Sequence, residues 1–140
     1  MIYLDTSVLV GALTPEAATP RIQQWLSERP AGELVISGWV VTELASALSI
    51  KVRTGTLDLA QRAEVLSTWQ RLQADHLHVS DVTQSHFEKA ARFADQHDLQ
   101  LRAGDALHLA IAASAGHRLA TLDKRMAAAA PRLGVPVITP

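Results

Sequence analysis

The sequence contains no cysteine, and that absence removes disulfides, thiolate metal sites and a cysteine nucleophile together. Charge is sparse, at 19% Asp, Glu, Lys and Arg. It is also scattered, so neither a disordered tail nor a polybasic arm is present. Long hydrophobic runs are missing: the stretch from Ala106 to Ala115 is broken by His108 and Ser114 and is about half a membrane span. The N-terminus passes from Leu4 straight into Asp5, without the basic leader and apolar core of a secretory signal. No repeat, low-complexity tract or linker interrupts the 140 residues. These absences predict a soluble, cytoplasmic protein with one domain over residues 1–140 and no membrane association.

What is present is an ordinary supply of core residues, 48% apolar, arranged as short runs alternating with longer helical periods. Strand-like runs fall at 1–4, 34–36, 76–82, 118–122 and 135–139. Helical patterns lie between them: 8–13, a helix capped at Thr19-Pro20 and stopped by Pro30, 39–53, and 58–74 with a buried stripe of Leu59, Ala63, Leu66 and Trp69. Two more follow, one with Phe87, Ala90, Ala91 and Ala94 on one face, the other opening at Asp105 and apolar nearly all round. Alternation of this kind with short connections predicts an α/β fold: a three-layer α/β/α domain with a mostly parallel sheet of about five strands.

Four carboxylates stand where apolar runs break. Asp5 closes the first strand and Asp123 closes Leu119-Ala120-Thr121-Leu122; Glu43 and Asp105 lie in the early turns of helices beside residues that must be buried. Parallel strands share one carboxyl edge, so distant residues can build one site there. Singly, each acid has a bland explanation as a turn or capping residue. A helix start favours the ionised form of Glu43 and Asp105, and an unpaired carboxylate in such surroundings would be costly. An oxygen-only donor set points to a hard cation, Mg²⁺ or Mn²⁺. Lys and Arg number 13 against 14 Asp and Glu. With the four acids set aside the balance is 13 to 10, which suits a polyphosphate substrate without demanding one.

Other residues compete for a role. Asp81 follows a strand and reads as a helix cap. His108, three residues after Asp105, reads as a packed, hydrogen-bonded histidine, although that face also allows approach to a metal or a phosphate. His76 and His78 share a strand face, either as an acid/base pair for metal-free RNA cleavage or as solvent-facing residues of an edge strand. Trp39, one turn before Glu43, suits core or dimer packing, or stacking on a base. Lys124, Arg125, Lys51 and Arg53 offer phosphate contacts or simply solubility.

Leu4-Asp5-Thr6-Ser7-Val8, Thr42-Glu43-Leu44, Gly104-Asp105-Ala106-Leu107-His108-Leu109-Ala110 and Thr121-Leu122-Asp123 occur in this order over essentially the full length. In this the chain resembles the PIN domain, and most closely the VapC-type ribonuclease toxins of toxin-antitoxin pairs; Ser7 stands where the family often has Asn. The resemblance implies a metal-dependent endoribonuclease with Asp5, Glu43, Asp105 and Asp123 as its acidic quartet, acting on RNA. It also implies a small VapB-like antitoxin, often with an Arg side chain in the acidic pocket, and a homodimer. On this reading Mg²⁺ (or Mn²⁺) activates a water for in-line attack on a phosphate. Asp5 and Asp105 are the direct ligands, and Glu43 and Asp123 hold metal-bound waters or a second ion. Thr6, Ser7 and Thr121 orient the carboxylates. Two alternatives stay open. One is a metal-dependent phosphatase with Asp5 as nucleophile, although Ser7 occupies the place where such enzymes need a second Asp. The other is a catalytically inactive RNA- or protein-binding module whose acids are structural.

Overall fold

Ile2, Tyr3 and Leu4 are all fully buried, the pattern of a strand covered on both faces rather than one facing water. In the computed structural model, which describes residues 1–140, these three residues form the central strand β1 (Ile2–Leu4). The chain continues through α1 (Thr6–Leu13), α2 (Thr19–Ser27), β2 (Leu34–Ser37), α3 (Gly38–Arg53), α4 (Leu59–His76), β3 (Leu77–Ser80), α5 (Gln84–Ala94), α6 (Ala103–Ser114), β4 (Arg118–Ala120), α7 (Lys124–Ala129) and β5 (Val137–Ile138). The sheet order is β3-β2-β1-β4-β5 and every pairing is parallel. The three-layer α/β/α architecture therefore stands, with a sheet that is wholly parallel.

Strand progress runs one way from β1 through β2 to β3, then returns across β1 to β4 and β5. With right-handed crossovers, α1 to α4 cover one face and α5 to α7 the other, and α1 accordingly packs on α2, α3 and α4 while α5 packs on α6. The reversal makes the gap between β1 and β4 the topological switch point, the crevice where sheets of this kind bind ligands. Pairing of Tyr3 with Leu119 and Leu4 with Ala120 brings Asp5 and the segment after Ala120 to that crevice. Packing around α1 is close: a Cβ at Gly11 would stand 2.7 Å from Ile22 Cδ1 and 3.0 Å from Leu122 Cδ1, so a larger residue would push these side chains aside.

Several sequence expectations need correction. The third strand is Leu77–Ser80, and His76 ends α4 instead of sharing a strand face with His78; β3 is an edge strand, as expected. In α4 the buried residues are Val65 and Trp69, while Leu59 is 71% exposed and Ala63 exposed. Leu59 lies roughly 80–120° around the helix from those two at 3.6 residues per turn. Its hydrophobicity is real, but its register is wrong. On α5 only Ala90 is buried; Phe87 is half exposed and Ala91 exposed. Thr83 caps α5, not Asp81, and Ala18 precedes α2 with Thr19 already helical. The apolar helix opening near Asp105 is central as expected, with Ala106 through Ala112 all buried. No helix is long and apolar enough to cross a membrane.

Candidate active site

Asp5 ends β1 and caps α1, and it is only 2% exposed. Its Oδ1 accepts from Ser7 Oγ at 2.6 Å and from the Val8 amide at 3.3 Å, and its Oδ2 accepts from Thr121 Oγ1 at 2.8 Å. Burial pushes this carboxyl above the ordinary aspartate range, and the bonds from Ser7 and Thr121 and the nearby charge of His108 only partly oppose it. Taking a carboxylate out of water costs several kcal/mol, and each hydrogen bond to the charged group returns part of that. Asp5 is thus an acid held in place at a standing electrostatic cost.

Glu43 reaches the same crevice from the second turn of α3. Its Oε2 accepts from Thr6 Oγ1 at 2.5 Å and from His108 Nε2 at 2.6 Å. Burial raises its pKa, but His108 and Thr6, helped by Trp39, more than offset this and leave it below the usual glutamate value. A histidine on a different helix, His108, is the largest of the influences that favour the ionised Glu43. The Trp39 indole N–H favours the charged carboxylate yet falls short of hydrogen-bond geometry, and its nitrogen is buried without a partner. Thr6 follows Asp5 directly, so one tripeptide, Asp5-Thr6-Ser7, holds both acids.

Asp105 and Asp123 stand at the same edge but serve as caps. Asp105 Oδ2 accepts from the Arg102 amide at 3.1 Å, and Asp123 Oδ1 accepts from the amides of Arg125 and Met126 at 2.8 and 2.9 Å. Their second oxygens take no hydrogen bond from the chain. The Asp123 amide donates to Thr121 Oγ1 at 2.9 Å, which ties Asp123 to Asp5 through one side chain. Gly104, just before Asp105, lies so near Glu43 that a Cβ there would stand 3.0 Å from Oε1. Asp5 is thus tied to Glu43 through Thr6 and Ser7 and to Asp123 through Thr121, while Asp105 enters only as the neighbour of Gly104. No three His, Asp or Glu side chains, however, share a point within metal-ligating reach. In kind, the donor set fits a hard divalent cation, all oxygens with free lone pairs on Glu43, Asp105 and Asp123.

Thr6, Ser7 and Thr121 do orient carboxylates, Thr6 acting on Glu43 and the other two on Asp5. His108 is the packed, hydrogen-bonded residue expected, 2% exposed. Lys51 instead bridges to Glu16 at 3.0 Å. Lys124 and Arg125 are exposed beside Asp123. Sequence reasoning missed Tyr3 and Ser37: Tyr3 Oη lies 2.8 Å from Ser37 Oγ and 3.0 Å from His108 Nδ1. The only signal for this was a lone histidine on an otherwise apolar helix, which burial obliges to find partners. A cavity of about 320 Å³ between α1, α2 and α4, lined by Leu13, Leu26, Leu72 and His76 among others, contains none of these groups and is a separate feature.

The PIN domain family model matches residues 2–131. The ribonuclease VapC35 of Mycobacterium tuberculosis is 30% identical over 145 residues, covering 100% of this chain and 97% of that protein. Among solved structures, Mycobacterium tuberculosis VapC20, a sarcin-ricin loop cleaving toxin, superposes with a TM-score of 0.72 at 22% identity, covering 92% of this chain and 95% of that one. VapBC2 from Rickettsia felis, bound to a DNA fragment from its promoter, gives 0.67 at 17% identity, covering 99% and 98%. The ordered acids, the switch-point crevice and these matches have one reading: this chain belongs to the PIN domain family and is a relative of the VapC ribonucleases.

Proposed function

We propose that this protein is a VapC-type endoribonuclease, the toxin of a toxin-antitoxin pair, which cleaves RNA with a hard divalent cation, Mg²⁺ or Mn²⁺, at Asp5, Glu43, Asp105 and Asp123. The observation that carries the proposal is the pairing of Asp5 and Glu43 through Asp5-Thr6-Ser7 at the β1–β4 switch point. Ser7 and Thr121 fix the plane of the Asp5 carboxylate before substrate arrives, so no reorganisation is required during reaction. Burial disfavours the Asp5 charge, which makes a neighbouring cation the natural means of keeping it ionised. Asp5 and Asp105 would hold such a cation directly, and Glu43 and Asp123 would hold metal-bound waters or a second ion. When bound, such a cation supplies positive charge for the phosphoryl oxygens and acidifies a water. Glu43, below the ordinary range and partly exposed, keeps a free oxygen with which to align a water or accept its proton.

RNA is the substrate, and a VapB-like antitoxin is the partner; an Arg side chain from it suits the clustered carboxylates. Homodimerisation has a surface available in the uncovered apolar face of α5, where Phe87, Ala91 and Ala94 border a groove of about 300 Å³ beside Trp39. A cytoplasmic location fits such a role. The phosphatase alternative is disfavoured by Ser7, which occupies the position where such enzymes need a second Asp.

The test is cleavage of total cellular RNA by the purified protein in Mg²⁺ or Mn²⁺, with mapping of the product ends. Activity lost in EDTA and in Asp5→Asn or Asp105→Asn, with 5′-phosphate and 3′-hydroxyl products, is the expected result. Undiminished cleavage in EDTA, or cyclic phosphate ends, would overturn the metal mechanism.

A further inference from the structure

One buried polar chain runs behind the acids. Ser37 Oγ, Tyr3 Oη, His108 and Glu43 follow one another at 2.8, 3.0 and 2.6 Å, and Thr6 closes the series on Glu43 Oε2. It crosses from the end of β2 to β1, then to α6 and α3, so it links four elements at the catalytic edge. Tyr3, Ser37 and His108 are buried to 2% exposure or less. Three polar residues in an apolar core cost free energy unless each is satisfied, and here each is. Glu43 itself is partly exposed, so the chain leads from dry interior to the mouth of the site.

We infer that His108, oriented by Tyr3, is a positioning residue that turns Glu43 Oε2 into the protein and presents Oε1 alone to the reaction. The inference rests on the ribonuclease reading above. Oε2 has both its acceptor positions taken, by Thr6 and by His108. Oε1 accepts no hydrogen bond from the chain and lies in the space left by the missing side chain at Gly104. A glutamate has three rotatable bonds, and without a second anchor its carboxylate would spread over rotamers or rotate its oxygens. The His108 ring is fixed in turn: Nε2–H donates to Glu43, and Nδ1 bonds to Tyr3, whose ring centroid lies 5.8 Å away at 55°. An orienting bond to the far nitrogen is what sets ring pose and tautomer at such sites. His108 is buried with Tyr3 and Glu43 as its partners, so it works through Glu43.

The experiment compares wild type, His108→Leu, His108→Gln, Glu43→Gln and the His108→Leu/Glu43→Gln double variant. It measures Mn²⁺ affinity by calorimetry without RNA, kcat and KM on RNA, and thermal melting for each. Outer partners of this type carry about 10–100-fold in metal affinity or activity. His108→Leu is expected to lose that much in kcat with KM little changed, and to weaken Mn²⁺ binding. His108→Gln, whose amide reaches the place of Nε2, should recover most of it. In the Glu43→Gln background, removing His108 should cost nothing further, because the residue it positions is already spent. If both His108 variants cleave and bind Mn²⁺ as wild type does, the positioning role is overturned while the ribonuclease reading stands. Additive losses in the double variant would equally overturn it. A wild type that neither cleaves RNA nor binds Mn²⁺ would overturn both.

Discussion

Thr121 Oγ1 donates to Asp5 Oδ2 at 2.8 Å while accepting from the amide of Asp123 at 2.9 Å. The residue that clamps the acid at the end of β1 therefore also sets the entry to α7. Adjacency of β1 and β4 makes this possible, since Leu4 pairs with Ala120 and places Thr121 beside Asp5. The clamp is buried, 2% exposed at both residues. At that depth a lost partner is not replaced by bulk water.

Thr121→Val keeps the shape and deletes the hydroxyl. It leaves the Asp123 amide without its acceptor and Asp5 Oδ2 without its donor, each an unsatisfied group costing about 1–3 kcal/mol. Destabilisation of at least that order in urea unfolding is expected, with reduced RNA cleavage. Unchanged stability would show that the clamp contributes nothing.

Asp5→Asn should move stability in the opposite direction. Burial raises the Asp5 carboxyl in the folded protein. Its favourable contribution is therefore complete below the unfolded value, about pH 4, and is lost as pH rises through the folded one. The amide does not titrate, keeps the acceptor for Ser7 and Val8, and can donate to Thr121. In EDTA the variant should melt a few degrees above wild type at pH 7, the gap closing towards pH 4. RNA cleavage should fall more than about 100-fold, beyond what supporting partners alone carry. A variant melting below wild type at pH 7 would contradict the assigned direction of the shift.

The contrast between Asp5 and His108 shows what a sequence can disclose about such a site. Asp5 is legible because its signal is local: an apolar run stops at Asp5-Thr6-Ser7, and strand order then decides what lies beside it. The wholly buried helix from Ala106 was legible for the same reason. Tyr3 meets His108 across 105 positions with no periodicity to mark it, because the contact arises from the stacking of α6 on the sheet. Leu59 misled in the opposite way: helical spacing put it in a stripe with Ala63, Leu66 and Trp69, whereas the face that packs is centred on Val65 and Trp69. Asp105 and Asp123 share both readings: each caps a helix, as the bland explanation had it, and each keeps an oxygen free at the acidic edge.

Gly104→Ala separates stability from function. Gly104 is partly buried in the first turn of α6, so the gain of up to about 1 kcal/mol that Ala brings to an open helix interior is offset by the close contact, and the variant should melt near wild type. Its Cβ would stand 3.0 Å from Glu43 Oε1 and 3.5 Å from Trp39 Cζ2, closer to the oxygen than carbon normally approaches. Displacement of that oxygen by a few tenths of an ångström should cut kcat by about tenfold. Full activity with an unchanged melting curve would show that Oε1 need not occupy this position.

Phe87→Asp tests the uncovered face of α5. Phe87 is 51% exposed and borders the groove with Ala91, Ala94 and Trp39, an arrangement that leaves apolar surface in water unless another molecule covers it. In a monomer the substitution should change stability by no more than about 0.5 kcal/mol, the usual range for surface positions. In a homodimer closed by symmetry the same residue appears on both sides of the interface, so one substitution places two carboxylates in apolar surroundings. Sedimentation should therefore show a dimer for wild type and a monomer for Phe87→Asp. Dimers of equal affinity in both would place the interface elsewhere.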